Sequence, residues 1–133
     1  MPLALVTLIV DDYDHAIAFF TKALGFSLVE DAPTATTDGR PKRWVVVQHG
    51  GSGAGIVLAR ADGTDQEQAI GRQFAGRVGL FLRVDELDLT LARLVEAGCD
   101  VVRPVRHEPY GRVCVVRDPW GNLWDLLSDT PDH

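Results

Sequence analysis

The sequence predicts an α+β fold, two tandem βαβββ modules within a single domain spanning residues 1–133. Three observations predict it. The length suits one domain of ordinary size. Apolar segments follow the order strand, helix, strand, strand, strand, and then repeat it. The landmarks between them also recur: Val10-Asp11-Asp12 matches Val84-Asp85-Glu86, and Leu24-Gly25-Phe26 matches Ala97-Gly98-Cys99, at nearly the same spacing. Such a duplicated unit buries one sheet face against its own helix. Module one covers about 3–60 and module two about 77–127.

The elements follow in order. Leu3–Val10 is an apolar strand that Asp11-Asp12 stops. Asp12 caps a helix over Tyr13–Leu24, whose Ile17, Phe20 and Leu24 recur at helical spacing. Gly25 ends it. Phe26–Glu30 is a strand, and Ala32–Lys42, rich in Thr, Asp, Gly and Pro, reads as a loop. Arg43–Gln48 is a β-branched and aromatic strand. His49–Gly55 is a glycine-serine turn and Ile56–Arg60 the next strand. Asp62–Gln73 is polar and reads as a loop with a short helix. Module two then runs through a strand over Arg77–Val84, a helix over Leu87–Ala97 and a strand over Asp100–Arg106. A turn over His107–Gly111, a strand over Arg112–Arg117, a turn over Asp118–Asn122 and a strand over Leu123–Leu127 complete it. The tail Ser128–His133 is expected to fray.

Composition narrows the function classes. Hydrophobic residues are 46% and charged residues 24%, as in a folded globular chain. No stretch of about 18 apolar residues exists, so no membrane span is expected. The start lacks the basic region of a secretory signal. The net charge of −6, without a long basic run, argues against nucleic acid. Cys99 and Cys114 lack metal-like spacing and sit in apolar runs, which suits reduced thiols in the cytoplasm. The run Gly50-Gly51-Ser52-Gly53-Ala54-Gly55 lacks the Lys-Ser/Thr ending of a phosphate loop.

The chain resembles the vicinal oxygen chelate superfamily of glyoxalase I, extradiol dioxygenases and bleomycin-resistance proteins. The resemblance is carried by Val6–Asp12, by Phe19-Phe20 through Leu24-Gly25-Phe26, by Phe81–Asp85 and above all by Asp118–Asp125. Arg106–Gly111 is similar to an uncharacterised glyoxalase-like subgroup. The resemblance implies sheets that curl around a concave pocket, and a homodimer. In the metal-using families it implies four ligands: His or Gln on the first strand, Glu on the fourth, His on the fifth and Glu on the eighth. The matching positions here are Leu5, Val57, Gly79 and Asp125. A catalytic divalent metal needs about three protein ligands. One carboxylate does not suffice, so no cofactor is expected. A relocated divalent metal using His107 and Glu108 with Asp125 remains the alternative.

The remaining candidates each carry two readings. Asp125, in an apolar strand, is either a pocket acid or base with a raised pKa or the partner of Arg77 or Arg112. His107, Glu108, Tyr110 and Arg112 either line a pocket mouth or form a solvated hairpin. In the first case Arg112 clamps an anion, and His107 or Glu108 moves a proton. Trp44, Phe81 and Trp124 are either an apolar ligand wall or core. The leading function is a metal-free small-molecule-binding protein that sequesters or recognises a planar or hydrophobic compound. The second is a glyoxalase-like lyase or isomerase, with Asp125 or Glu108 as base beside a carbonyl and Arg112 stabilising the enolate. The third is a dimeric interaction module.

Overall fold

The computed structural model describes residues 1–51 and 53–129. Ser52, in the glycine-rich turn, and the tail from Thr130 onward lie outside them. The chain divides into two compact units, Met1–Ile70 and Gly71–His133. Each holds a four-stranded mixed sheet, so the duplicated βαβββ order holds. Among the described residues no helix is long and apolar enough to cross a membrane.

The first unit comprises β1 (Leu5–Val10), α1 (Tyr13–Ala18), β2 (Ser27–Ala35), β3 (Pro41–Gln48), β4 (Gly55–Arg60) and α2 (Thr64–Ala69). Its sheet order is β1-β4-β3-β2, with β1 parallel to β4 and the other pairs antiparallel. Side chains alternate across the sheet. Leu8, Val10, Val45, Val47, Ile56 and Leu58 are all buried on the same face. At about 1.5–3 kcal/mol per buried side chain, this layer dominates the unit's stability.

Six residues of α1 are too few to hold a helix alone. The Asp12 carboxylate caps it by accepting the His15 N–H at 2.8 Å, and burial of Tyr13 and Ala16 anchors it. The expected single helix to Leu24 is instead α1 followed by a π-helical turn over Phe19–Ala23. The widened turn places both Phe19 and Phe20 in the core, with Phe20 edge-on to Phe19 and Phe26 at 5.6 and 5.2 Å.

The expected Ala32–Lys42 loop is largely strand. β2 and β3 pair out to Ala35↔Pro41, and only Thr36–Arg40 turns. Thr36 closes that turn, accepting the Arg40 N–H on its hydroxyl at 2.9 Å. Composition misleads here because β2 is an edge strand, where Pro33 loses no ladder bond.

The second unit comprises β5 (Val78–Arg83), α3 (Leu87–Glu96), β6 (Asp100–Glu108), β7 (Gly111–Arg117) and β8 (Leu123–Ser128), in the order β5-β8-β7-β6. Leu82, Cys114, Val116, Trp124 and Leu126 are buried on one face, with Leu87 and Leu94 of α3 also in the core. The expected turn shrinks to Pro109-Tyr110 between β6 and β7. Gly111 follows at φ +139, where a side chain would collide with the Ser128 carbonyl. Ser128, expected to fray, is buried at the end of β8. Burial pushes the Cys99 thiol up to about 12 and the Cys114 thiol up to about 11. Both stay protonated at neutral pH.

Asp118 is 4% exposed. One carboxylate oxygen accepts the backbone N–H groups of Trp120, Gly121 and Asn122 at 2.9–3.0 Å. The other accepts the Trp124 indole N–H at 2.9 Å. The Asp-Pro-Trp-Gly-Asn segment is therefore a folding device, a buried carboxylate that gathers a turn and an aromatic core residue.

Candidate functional site

In the first unit, β3 and β4 pair only at Val46↔Val57 and Val47↔Ile56. Yet β3 begins at Pro41 and β4 continues to Arg60. Beyond the two pairs the strands part. At this point the Tyr13 hydroxyl, from α1, accepts the backbone N–H of Arg43 at 3.2 Å. The second unit has no such gap, for β7 and β8 pair continuously from Arg112↔Ser128 to Arg117↔Leu123.

The gap forms a cavity of about 430 Å³ lined by Thr7, Tyr13, Lys42, Trp44, Ala59 and Arg60, with Arg40, Asp62 and Gln66 among the other lining residues. That size suits a small ligand. Trp44 is 37% exposed and lies on the same strand face as Lys42. Arg40 is bonded to Asp62 by two contacts of 2.9 and 2.7 Å and also to Asp38. The Asp62 carboxyl is held below its ordinary range by Arg40, and the Asp38 carboxyl by the Thr36 hydroxyl and then Arg40. Arg43 bridges Asp31 and Asp14 and lies over the Tyr13 ring at 5.1 Å. Arg60 lies over that ring at 5.3 Å. Among the described residues, neither Lys42 nor Arg60 has a carboxylate at ion-pair distance.

In the second unit, Phe81, Asp125, Val115 and Arg103 are successive partners across the sheet, so their side chains share a face. Phe81 is 68% exposed. Burial raises the Asp125 carboxyl above its ordinary value, while the positive charges of Arg106 and Arg103 oppose the shift. The partners expected for Asp125 from the sequence, Arg77 and Arg112, are not the ones whose charge it feels. Glu108 accepts from Arg106 Nε at 2.9 Å.

Other predicted site residues lie elsewhere. Arg112 stands three residues from Val115, hence on the opposite face, and grips Asp88 of α3 through two bonds of 3.0 and 2.9 Å. His107 is its cross-strand partner on that face. The proposed pairing of Asp125 with Arg112 at one reacting centre is therefore corrected: the sheet separates them. Trp124, 3% exposed, is core and bonded to Asp118, which corrects its reading as a ligand wall. Tyr110 is exposed at the hairpin turn. Of the eight named residues, Trp44 lines the cavity, and Phe81, Glu108 and Asp125 share the second unit's other face.

Sequence reasoning missed Lys42, Arg60 and Tyr13. The dense run Arg40-Pro41-Lys42-Arg43 beside Trp44 was the available signal. Composition places Arg40–Lys42 in the loop that precedes the Arg43–Gln48 strand, which hides Lys42's place on a strand face.

The four positions that correspond to the family's metal ligands do not fit a metal. Leu5 and Val57 have no donor atom. At Gly79 a side chain would begin inside the Phe74 ring, so the space an imidazole needs is taken. Asp125 remains, and one carboxylate is too few. Among the described residues no three His, Cys, Asp or Glu side chains are placed to hold an ion.

Comparison with known proteins agrees with the fold. An uncharacterised protein of Shewanella frigidimarina (strain NCIMB 400) is 46% identical over 124 residues, covering 92% of this chain and 90% of that protein. The crystal structure of TnmS3, an antibiotic binding protein from Streptomyces sp. CB03234, is similar with a TM-score of 0.71 and 28% identity, over 98% of this chain and 97% of that one. A glyoxalase family protein from Bacillus cereus has a TM-score of 0.78 at 23% identity, over 96% and 93% of the two chains. The family model of the Glyoxalase/Bleomycin resistance protein/Dioxygenase superfamily matches residues 3–126. With both repeats and the Asp118 turn inside the matched span, the chain belongs to that superfamily.

Proposed function

We propose that this protein is a small-molecule-binding protein that works without the superfamily's metal and binds its ligand without transforming it. The observation that carries this reading is the cavity in the first unit, a polar cleft with Trp44 as its aromatic wall. Such a cleft offers binding contacts to a small ligand. Support also comes from the antibiotic binding protein from Streptomyces, similar over nearly the whole chain, and from the poor donor set at the four ligand positions. The reading places the protein in the cytoplasm as a homodimer.

A thermal-shift screen of antibiotics and planar metabolites tests it. Saturable stabilisation is expected from at least one compound, unchanged by prior treatment with a chelator and weakened in Trp44→Leu. Stoichiometric Zn, Ni or Fe in purified protein, lost in Asp125→Ala, would sink the metal-free part. A sizing column at low concentration tests the dimer.

The lyase or isomerase reading retains one favourable observation, the raised carboxyl of Asp125. A carboxylate of higher pKa is a better general base. In that reading Asp125 removes a proton beside a carbonyl and returns it, with Arg103 or Arg106 near the enolate oxygen in place of Arg112. Exchange of a substrate α-proton with deuterated water, abolished in Asp125→Asn, is its signature.

A further inference from the structure

We propose that the Tyr13 hydroxyl is the hydrogen-bond donor by which the β3–β4 cleft selects its ligand, a neutral compound bearing a carbonyl-type oxygen such as a ketone, quinone or amide; this rests on the small-molecule reading above. Three observations carry it.

The first is an unused proton. Tyr13 is 6% exposed. Its oxygen accepts the Arg43 N–H at 3.2 Å, and among the described residues its own proton has no acceptor at hydrogen-bond distance. A phenol can both accept and donate. A buried donor without an acceptor forfeits its hydration for nothing, which is why buried polar groups are paired. Tyr13 lines the cavity, so an acceptor bound there completes its hydrogen bonding.

The second is where the hydroxyl stands. A strand's N–H points sideways, within the sheet. Continued beyond Val46↔Val57, the register would set Arg43 opposite Arg60 of β4. No such ladder forms, and the Tyr13 oxygen takes the Arg43 N–H instead. The acceptor of an in-plane N–H lies near the level of the sheet, so the hydroxyl stands at the split and not behind it. Its ring is held by the Arg43 and Arg60 guanidinium groups, at 5.1 and 5.3 Å. The donor is thus fixed before a ligand arrives. The second repeat lacks both parts. Leu87 begins α3 where Tyr13 begins α1, and β7 and β8 stay paired throughout.

The third is charge balance. Four cations line the cleft. Arg40 is paired with Asp62 and Asp38, and Arg43 with Asp31 and Asp14. Four cations are thus set against four carboxylates, and a surface with no surplus of either sign does not concentrate ions. A neutral ligand with an oxygen acceptor suits it better than an anion. Val57 and Ala59 on the cavity wall give its apolar part a surface to lie against.

The test is isothermal titration of the full chain with 1-indanone and indane, which share one bicyclic frame and differ by the carbonyl. Both are expected to bind one per chain. Tyr13→Phe is expected to weaken indanone about five-fold or more and to leave indane within about two-fold. The infrared carbonyl band of indanone bound to the wild-type protein reads the bond without any variant. It should lie below its position in cyclohexane, and in Tyr13→Phe it should return there. An equal effect of Tyr13→Phe on the two probes, a bound band at the cyclohexane position, or binding of indane without indanone overturns the donor assignment and leaves the small-molecule reading standing. Absence of binding by either probe at its solubility limit overturns both for this cleft.

Discussion

Arg112 holds Asp88 through two hydrogen bonds of 3.0 and 2.9 Å, and Arg43 in the other repeat reaches Asp14 at 3.0 Å. Arg112 stands three residues before Val115, the partner of Asp125, and Arg43 stands three before Val46, the partner of Val57. Asp14 and Asp88 are each the second residue of their helix. The pair is thus one structural tie made twice, fastening the third strand of a module to its helix. This is why Arg112, the obvious anion clamp in the sequence, faces α3.

Arg112→Met is therefore expected to lower thermal stability and to leave ligand binding in the first unit's cleft unchanged. The Arg112 guanidinium holds the Asp88 carboxyl below its ordinary value of 3.8. A lowered folded pKa contributes stability above the unfolded value, and this is lost as pH falls through the folded one. Melting curves from neutral pH down to about pH 2 should show a shallower acid decline in the variant. An identical acid limb would refute the tie.

Tyr13 holds the edge of the split sheet. Tyr13→Phe keeps the ring under Arg60 but removes the acceptor for the Arg43 N–H, at a cost of about 1 kcal/mol in urea unfolding. Hydrogen exchange at the Arg43 amide should accelerate in parallel. An unchanged exchange rate would show that the hydroxyl is not the partner that matters.

Asp118→Ala removes one carboxylate that four donors share, of which the Gly121 N–H keeps the Asp118 backbone carbonyl as acceptor. A loss of at least about 3 kcal/mol is expected, with a change in the near-ultraviolet circular dichroism of Trp124. A cost under about 1 kcal/mol would mean that solvent reaches the turn.

Asp125→Asn is expected to stabilise the protein at neutral pH. Burial raises the folded-state carboxyl above 3.8. Its favourable contribution is complete below the unfolded pKa and is lost as pH rises through the raised folded value, so the charged form is a burden near pH 7. The asparagine variant should melt higher there, and the two curves should meet below about pH 4. A variant less stable than wild type near pH 7, with the curves still meeting at low pH, would instead show that Arg106 and Arg103 more than offset the burial.

The duplicated strand and helix order, the acidic helix entries and the glycine exits were legible in the chain. They are local: Asp12 caps the residues that follow it, and alternation within β3 or β8 needs no distant partner. Superfamily membership was legible for the same reason, through the Asp118 turn. The site was less so. Asp125 and Arg112 look like allies in sequence, and the pleat alone places them on opposite faces. Trp124 looks like a ligand wall until Asp118 claims its indole.

By itself, then, the sequence determined the duplicated βαβββ order and membership of the superfamily. Only the tertiary structure decided which side of a sheet each polar residue serves and that β3 parts from β4. Beside that split the Tyr13 hydroxyl, thirty positions away in the chain, accepts the Arg43 N–H. Local propensity carries no information about such a contact. It exists only once helix and sheet have packed.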